Sequence, residues 1–133
     1  SRFAAYVEAI ASALGHADRM APFGSYCAGL LLPGDRKSVE PIAARVQPGV
    51  VRAAHQSLHH LVAKANWSDA AVLEAVRARV LPAIQQAGPI EAWIIDDTGF
   101  PKKGTHSVGV ARQYCGQLGK QDNCQVAVSL SVA

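Results

Sequence analysis

Two adjacent carboxylates, Asp96 and Asp97, stand at the end of a short apolar run that begins at residue 90. Such a run predicts a strand, and carboxylates that leave a rigid strand are well placed to hold Mg²⁺, which prefers oxygen ligands. Successive strand residues point to opposite faces, so one of the pair is expected to be the ligand. The alternative is that both simply end a strand and start a turn, where Asp is common. On this segment alone both interpretations stay open.

Basic residues follow the carboxylates along the chain. Lys102 and Lys103 lie in a Pro-Lys-Lys-Gly turn, Arg112 lies in the next apolar-polar alternation, and Lys120 lies in the loop after it. Cationic side chains beside a carboxylate cluster predict contacts with the phosphate backbone of DNA. The alternative for the turn is a solvated hairpin, because charge in turns is ordinary.

Other groups that could bind a metal lack the necessary spacing. His55 and His59 have the i, i+4 spacing of a zinc-binding pair, but no Glu completes an H-E-x-x-H arrangement, which favours a polar helix face. Cys27, Cys115 and Cys124 are odd in number and form no C-x-x-C pair. They predict free thiols in a reducing compartment, which is the cytoplasm.

The composition predicts a folded chain. Half of the 133 residues are apolar and 17% are charged, which allows one domain, or one domain plus part of another, to form a core. The net charge of +3 is too small to predict a nucleic-acid partner by itself. No apolar run reaches the roughly 18 residues of a membrane-spanning helix. The chain begins at Ser1 without a signal pattern and is expected to be processed or cut from something longer.

The first part of the chain, residues 1–88, is rich in Ala and predicts a helical domain that ends at the Gly88-Pro89 pair. Apolar residues at steps of three and four predict the helices, and Gly15, Ser38 and Ser68 or Asp69 are the expected end and cap residues. The predicted helices cover residues 3–14, 23–32, 38–45 and 50–65, with a last one from about residue 69 that Pro82 kinks.

The second part, residues 89–133, is rich in Gly, Val and Ile and predicts an antiparallel meander of three strands. Residues 90–96 are almost wholly apolar, as expected for a strand buried on both faces. Residues 107–115 and 124–132 alternate between apolar and polar side chains. The predicted fold class is therefore α+β, with helices first and strands afterwards.

The stretch from Trp93 to Val132, which contains DDTGFPKKG followed by SVGVARQYCG, resembles the start of the catalytic domain of bacterial insertion-sequence transposases. These proteins belong to the DDE superfamily of endonucleases. The segments DRKSVEP at 35–41 and QSLHH at 56–60 resemble the N-terminal region of the same group. The resemblance covers essentially the whole chain, and its long motif is specific.

The resemblance implies a ribonuclease-H-like fold, whose first strand is central and carries the first catalytic Asp, with the next two strands as a meander beside it. Asp97, which directly precedes Thr98, is the expected catalytic residue and metal ligand, and Asp96 is the reserve candidate. The implied activity is DNA cleavage and strand transfer by Mg²⁺ ions held by three carboxylates. Residues 1–88 then form a helical domain that could bind DNA, and residues 89–133 start the catalytic domain.

The remaining Asp and Glu of such a triad are absent from the sequence. One ligand position cannot hold two metal ions, so the chain is expected to be an N-terminal fragment without nicking or strand-transfer activity of its own. An uncovered, apolar first strand predicts a homo-oligomer. The alternative is a non-catalytic DNA-binding or regulatory protein derived from a transposase, which would bind duplex DNA in a salt-dependent way.

Overall fold

Helices occupy the first part of the computed structural model, which describes residues 1–133, and one antiparallel sheet occupies the rest. The architecture is α+β, as predicted. The chain forms two compact units, Ser1–Pro82 and Ala83–Ala133. The helices are α1 (Arg2–Ala11), α2 (Met20–Leu31), α3 (Val39–Val46), α4 (Val51–Ala63) and α5 (Asp69–Ala87), with short 3-10 turns at Ser12–Leu14, Ala17–Arg19 and Pro48–Val50. The strands are β1 (Trp93–Pro101), β2 (Val110–Cys115) and β3 (Lys120–Val132).

The helix ends follow local chemistry that is visible in the sequence. Gly15 has a φ of 74° and so takes the left-handed conformation that stops the helical turn after α1, as predicted. The Ser68 hydroxyl accepts a hydrogen bond from the backbone N–H of Ala71 at 3.2 Å, which confirms Ser68 as a cap of α5. Ser38 is extended, as a residue before a helix should be, but its side chain makes no capping hydrogen bond to α3.

Two apolar clusters form the core of the first unit. One joins α3 to α4, and the other joins the end of α1 to α4. The indole N–H of Trp67 donates to the backbone carbonyl of Leu61 at 2.8 Å, which fixes the segment before α5 against the second cluster. None of the helices is long and apolar enough to cross a membrane. The buried residues are Ile42, Ala43, Ala54 and Leu58 in the first cluster and Ala11, Leu14 and Leu61 in the second.

The strand order of the sheet is β1-β3-β2, so the predicted meander is wrong. β3 is central and pairs antiparallel with both neighbours, with Trp93 opposite Val132 on one side and Val110 opposite Gln125 on the other. β1 is therefore an edge strand here and not a central one. β3 is long enough to serve both neighbours: its residues 124–132 pair with β1 and its residues 120–125 pair with β2.

The predicted burial of β1 on both faces is not found in this chain. The side chains of Trp93, Ile94 and Ile95 are 66%, 48% and 76% exposed. The second unit consists mainly of the sheet itself, so few groups are available to cover the strand. The continuous apolar run therefore predicted a strand correctly, but the prediction that this strand is buried on both faces is wrong.

Candidate active site and nucleic-acid interface

Asp96 and Asp97 lie on opposite faces of β1. Asp97 is opposite Val128 and Asp96 is opposite Ser129 in the unbroken pairing with β3. Residues directly opposite each other on antiparallel strands share a face, and neighbours along a strand alternate. Asp97 consequently shares its face with apolar residues of both strands, including Ile95, whereas Asp96 shares its face with serines of β3.

The two carboxylates also differ in what they contact. An oxygen of the Asp96 carboxylate accepts a hydrogen bond from the backbone N–H of Asp97 at 2.9 Å. The carboxylate of Asp97 has no hydrogen bond and no ion pair, and the residue is exposed. Asp97 thus has all its oxygen lone pairs available to a ligand, while those of Asp96 are partly used.

A cleft of about 300 Å³ opens beside Asp97. We call it the Asp97 cleft. One part of its lining comes from β1 and the other from the end of β2 and the turn that follows it. The lining residues are Asp97, Thr98 and Gly99 on the first side and Tyr114, Gly116 and Gln117 on the second.

β1 approaches β2 at Gly99 although the two strands do not pair. A Cβ at this position would lie 3.4 Å from Cys115 Cα and 3.5 Å from its sulfur, which is ordinary van der Waals contact. The Cys115 thiol donates to the Gly99 carbonyl at 3.3 Å. Cys115 and Cys124 are fully buried here, and burial raises the pKa of the Cys124 thiol, with the neighbouring Cys115 adding to the shift. Both thiols pack the interior of the sheet.

A second cleft, of about 440 Å³, lies at the basic turn. We call it the Lys cleft; it is lined by Pro101, Lys102, Lys103, Gly104, Leu118, Asp122 and Asn123. The turn is fastened to β3 at three points. The backbone N–H of Lys102 donates to the Asn123 carbonyl at 2.9 Å, and the Asn123 amide donates to the Gly104 carbonyl at 3.3 Å. Gln125 donates from its side chain to the Val108 carbonyl at 2.9 Å.

The four predicted DNA-contacting cations are in different surroundings. Lys120 Nζ lies 3.0 Å from an oxygen of Asp122, and this hydrogen-bonded ammonium holds the pKa of the Asp122 carboxyl below its ordinary value. Lys102 and Lys103 line one cleft and form no ion pair. Arg112 is opposite Asn123 in the sheet and lines neither cleft. The structure therefore brings two of the four cations together with their charge unpaired.

Both clefts receive a lining residue from the turn between β2 and β3. Gln117 lines the Asp97 cleft, and the next residue, Leu118, lines the Lys cleft. Sequence reasoning did not single out Tyr114, Gln117 or Asn123 for this site. The only signal for the first two is their position against the Gly116–Gly119 turn, and Asn123 carried no signal.

Comparison with protein families matches residues 9–133 to the family described as DDE superfamily endonuclease. The chain belongs to this family. It is also similar to a probable transposase for insertion sequence element IS701 from Microchaete diplosiphon, with 41% identity over 75 residues. That similarity covers 56% of this chain and 19% of the relative, so the chain matches about a fifth of the relative's length. No solved structure matches the chain.

The DDE endonuclease superfamily depends in general on divalent metal ions. The free carboxylate of Asp97 is a suitable oxygen donor for such an ion. However, no group of three or more His, Cys, Asp or Glu side chains in this chain could hold a metal ion. The residues present do not by themselves form a metal site, so no reaction step through a metal follows from them.

Proposed function

We propose that this chain is part of a DNA transposase and provides its first acidic ligand and a contact with DNA phosphates. The observation that carries the proposal is the geometry of β1, where a free carboxylate at Asp97 is followed by a fastened turn with two unpaired lysines. Residues 1–88 would be the helical N-terminal domain, and residues 89–133 would begin a ribonuclease-H-like catalytic domain. The cytoplasm, which contains DNA and keeps the three free thiols reduced, is the proposed location.

Asp97, and not Asp96, is the proposed catalytic metal ligand, with Mg²⁺ as the proposed ion. Three observations support this choice: Asp97 lines a cleft, its carboxylate is free, and it shares a face with apolar residues. A carboxylate beside an apolar surface interacts more strongly with a cation once water is excluded. The two other acidic ligands are proposed to lie outside these 133 residues, since no ligand cluster forms within them.

The test of the metal ligand needs the full coding frame. Sequencing downstream of the Ala133 codon identifies that frame, and strand cleavage by its product is then measured for Asp97→Asn and for Asp96→Asn as the matched control. We expect Asp97→Asn to abolish cleavage and Asp96→Asn to retain most of it. Loss of cleavage in Asp96→Asn with cleavage retained in Asp97→Asn would identify Asp96 as the metal ligand instead. Nicking of supercoiled DNA by the 133-residue chain alone would contradict the proposal that ligands are missing.

The phosphate contact can be tested on the chain itself. The affinity for duplex DNA is measured against salt concentration, because each neutralised phosphate adds about 0.9 to the slope. Replacing Lys102 and Lys103 by Ala should lower the slope by about 2. Lys120→Met is the matched control and should change it less, because Asp122 already neutralises Lys120.

The edge of β1 suggests that the chain forms a homo-oligomer. Only one side of β1 is paired, and the exposed Trp93 and Ile95 lie beside the free edge. Unpaired strand edges with apolar side chains recruit other strands. Analytical ultracentrifugation at about 0.1 mM, a concentration where exposed edges associate, should detect a dimer or larger species. A monomer at that concentration would contradict this part of the proposal.

The second candidate function is a non-catalytic DNA-binding or regulatory protein. A cleft of about 430 Å³ in the first unit favours it, because Arg19, His16 and His60 contribute groups that can donate hydrogen bonds to a phosphate, although Asp18 also lines the cleft and lies 3.6 Å from His16. If the helical unit binds DNA, the chain with both lysines replaced should keep its affinity and its salt slope. A complete loss of binding in that variant would exclude this alternative.

A further inference from the structure

We propose that one face of the two-stranded part of the sheet packs against the same face of a second copy of this chain. In this part, which we call the ribbon, residues 93–99 of β1 pair with residues 126–132 of β3. The inference deepens the proposed homo-oligomer, on which it rests, and is independent of the proposed metal and DNA binding. The contact surface is called the ribbon patch, and its residues are Trp93, Ile95, Val128, Leu130 and Val132.

The pairing of β1 with β3 gives the ribbon two unlike faces. Residues directly opposite each other share a face, and neighbours along a strand alternate between faces. On one face the side chains are apolar as far as Asp97, which borders the ribbon patch. On the other face Ser129 and Ser131 lie opposite Asp96 and Ile94. The ribbon is therefore amphipathic, and one of its faces suits an apolar contact.

The ribbon patch is open to solvent although it is apolar. Val128 and Leu130 are 72% and 60% exposed, and the two side chains from β1 are exposed as well. Cys124 lies on the same face but is fully buried, because it belongs to the part of β3 that β2 also pairs with. A two-stranded ribbon is marginally stable in water unless its apolar face packs against another element. The ribbon thus lacks one layer.

A second copy supplies that layer with matching chemistry. A two-fold axis brings identical patches together, so apolar side chains meet apolar side chains. Two ribbons packed in this way would form two layers about 10 Å apart, as packed sheets do.

The area of the ribbon patch fits a weak dimer. An aromatic side chain buries roughly 150–250 Å² and an aliphatic one less, so the exposed fractions leave on the order of 500 Å² of apolar surface on each copy. Two copies would then bury about 1,000 Å² in total, which is near the lower limit for a specific interface. The expected dimer is therefore dependent on concentration.

The experiment compares neighbouring residues that lie on opposite faces of the ribbon. Analytical ultracentrifugation follows the 133-residue chain from about 1 µM to about 0.1 mM, the range in which exposed strands associate. Ile95→Lys and its neighbour Ile94→Lys form one matched pair on β1. Val128→Lys and its neighbour Ser129→Lys form a second pair on β3. Circular dichroism verifies that each variant is folded.

Ile95→Lys and Val128→Lys should raise the dissociation constant of the dimer about 10-fold or more, because each places a lysine in an apolar contact. Ile94→Lys and Ser129→Lys should dimerise as the wild type does. Pairing through the backbone edge of β1 would give a different pattern. A lysine on either face of an edge strand hinders such pairing, so Ile94→Lys and Ile95→Lys would then act alike, and Val128→Lys on the central strand would have little effect.

That second pattern would overturn the ribbon patch and leave the homo-oligomer intact. A wild-type chain that stays monomeric at about 0.1 mM would refute both, without bearing on metal or DNA binding. The product of the longer coding frame tests another occupant. A monomer of that product which Ile95→Lys destabilises and Ile94→Lys does not would mean that residues after Ala133 cover the ribbon patch, and it would overturn the second copy as its occupant.

Discussion

Gly29 of α2 lies directly against Ile42 of α3, and its replacement by Ala should destabilise the helical unit. A Cβ at this position would overlap Ile42 Cγ2 and would lie 3.3 Å from both Ile42 Cβ and Val46 Cγ1. Favourable carbon contacts occur at about 3.5–4.0 Å. Ile42 is completely buried within a core cluster, so it has little space in which to move away.

The sign of the effect depends on two opposing terms. Replacing Gly by Ala inside a helix gains about 1 kcal/mol of intrinsic helix stability, whereas overpacking a core costs about 1–3 kcal/mol. The added Cβ would overlap a branch atom of Ile42, a side chain that is completely buried. We therefore expect an overpacking cost in the upper part of that range. We expect Gly29→Ala to lower the free energy of unfolding by about 1–2 kcal/mol, which is the difference of these terms.

Gly24, on the same helix, is the matched control. A Cβ there would lie 3.8 Å from Val7 Cγ1, which is an ordinary contact. Gly24→Ala should therefore gain up to about 1 kcal/mol from helix propensity alone. The two substitutions are chemically identical and should have opposite signs.

The assay follows urea unfolding through the fluorescence of Trp67 in a Trp93→Phe background. Trp67 packs on the core of the helical unit, whereas Trp93 is an exposed residue of β1. If Gly29→Ala stabilises the helical unit as much as Gly24→Ala does, α2 and α3 do not approach each other closely at Gly29, and the reasoning is refuted. A further check is Ile42→Leu, which removes Cγ2 and should rescue most of the loss through a favourable coupling energy.

Two further predictions concern titration and thiol access. The hydrogen bond from Lys120 lowers the pKa of Asp122 in the folded chain, so the stability that this pair contributes is present above the ordinary carboxyl pKa and is lost as the pH falls through the lowered value. Lys120→Met should raise the Asp122 pKa measured by NMR, and an unchanged value would refute the pairing. In the native chain Cys27 is half-buried, whereas Cys115 and Cys124 are buried. Cys27 should therefore react first with a thiol reagent. Early labelling of Cys115 and Cys124 would contradict the packing between β1 and β2.

The helical unit could be predicted closely from the sequence because its signals are local. Apolar steps of three and four residues located the helices, and Gly15 and Ser68 marked their ends through backbone and side-chain geometry. The order of the strands could not be predicted in this way. It depends on which residues of β3 each neighbour pairs with, and these pairings join residues far apart in the sequence.

In the candidate site, too, the features with local sequence signals could be predicted, and those that depend on contacts between distant residues could not. The run that ends in Asp96 and Asp97 identified a strand with carboxylates, and the turn at Lys102 identified a basic loop. Tyr114 could not be found from spacing, because the Asp97 cleft exists only where the end of β1 approaches the end of β2 over Gly99. The roles of these residues in metal and DNA binding stay predictions until the variants above are measured.

The central strand β3 determines both parts of the proposed site. Its pairing places Asp97 opposite Val128 and so selects the face on which that carboxylate lies. On the same strand, before Val128, the side chains of Asn123 and Gln125 donate to the carbonyls of Gly104 in the basic turn and of Val108 after it. A slip of one residue in this pairing would reverse every face of β1 and exchange Asp97 with Asp96. The same slip would disrupt the hydrogen bonds that hold the basic turn to Asn123 and Gln125, so one register fixes both which acid is presented and how the basic turn is held.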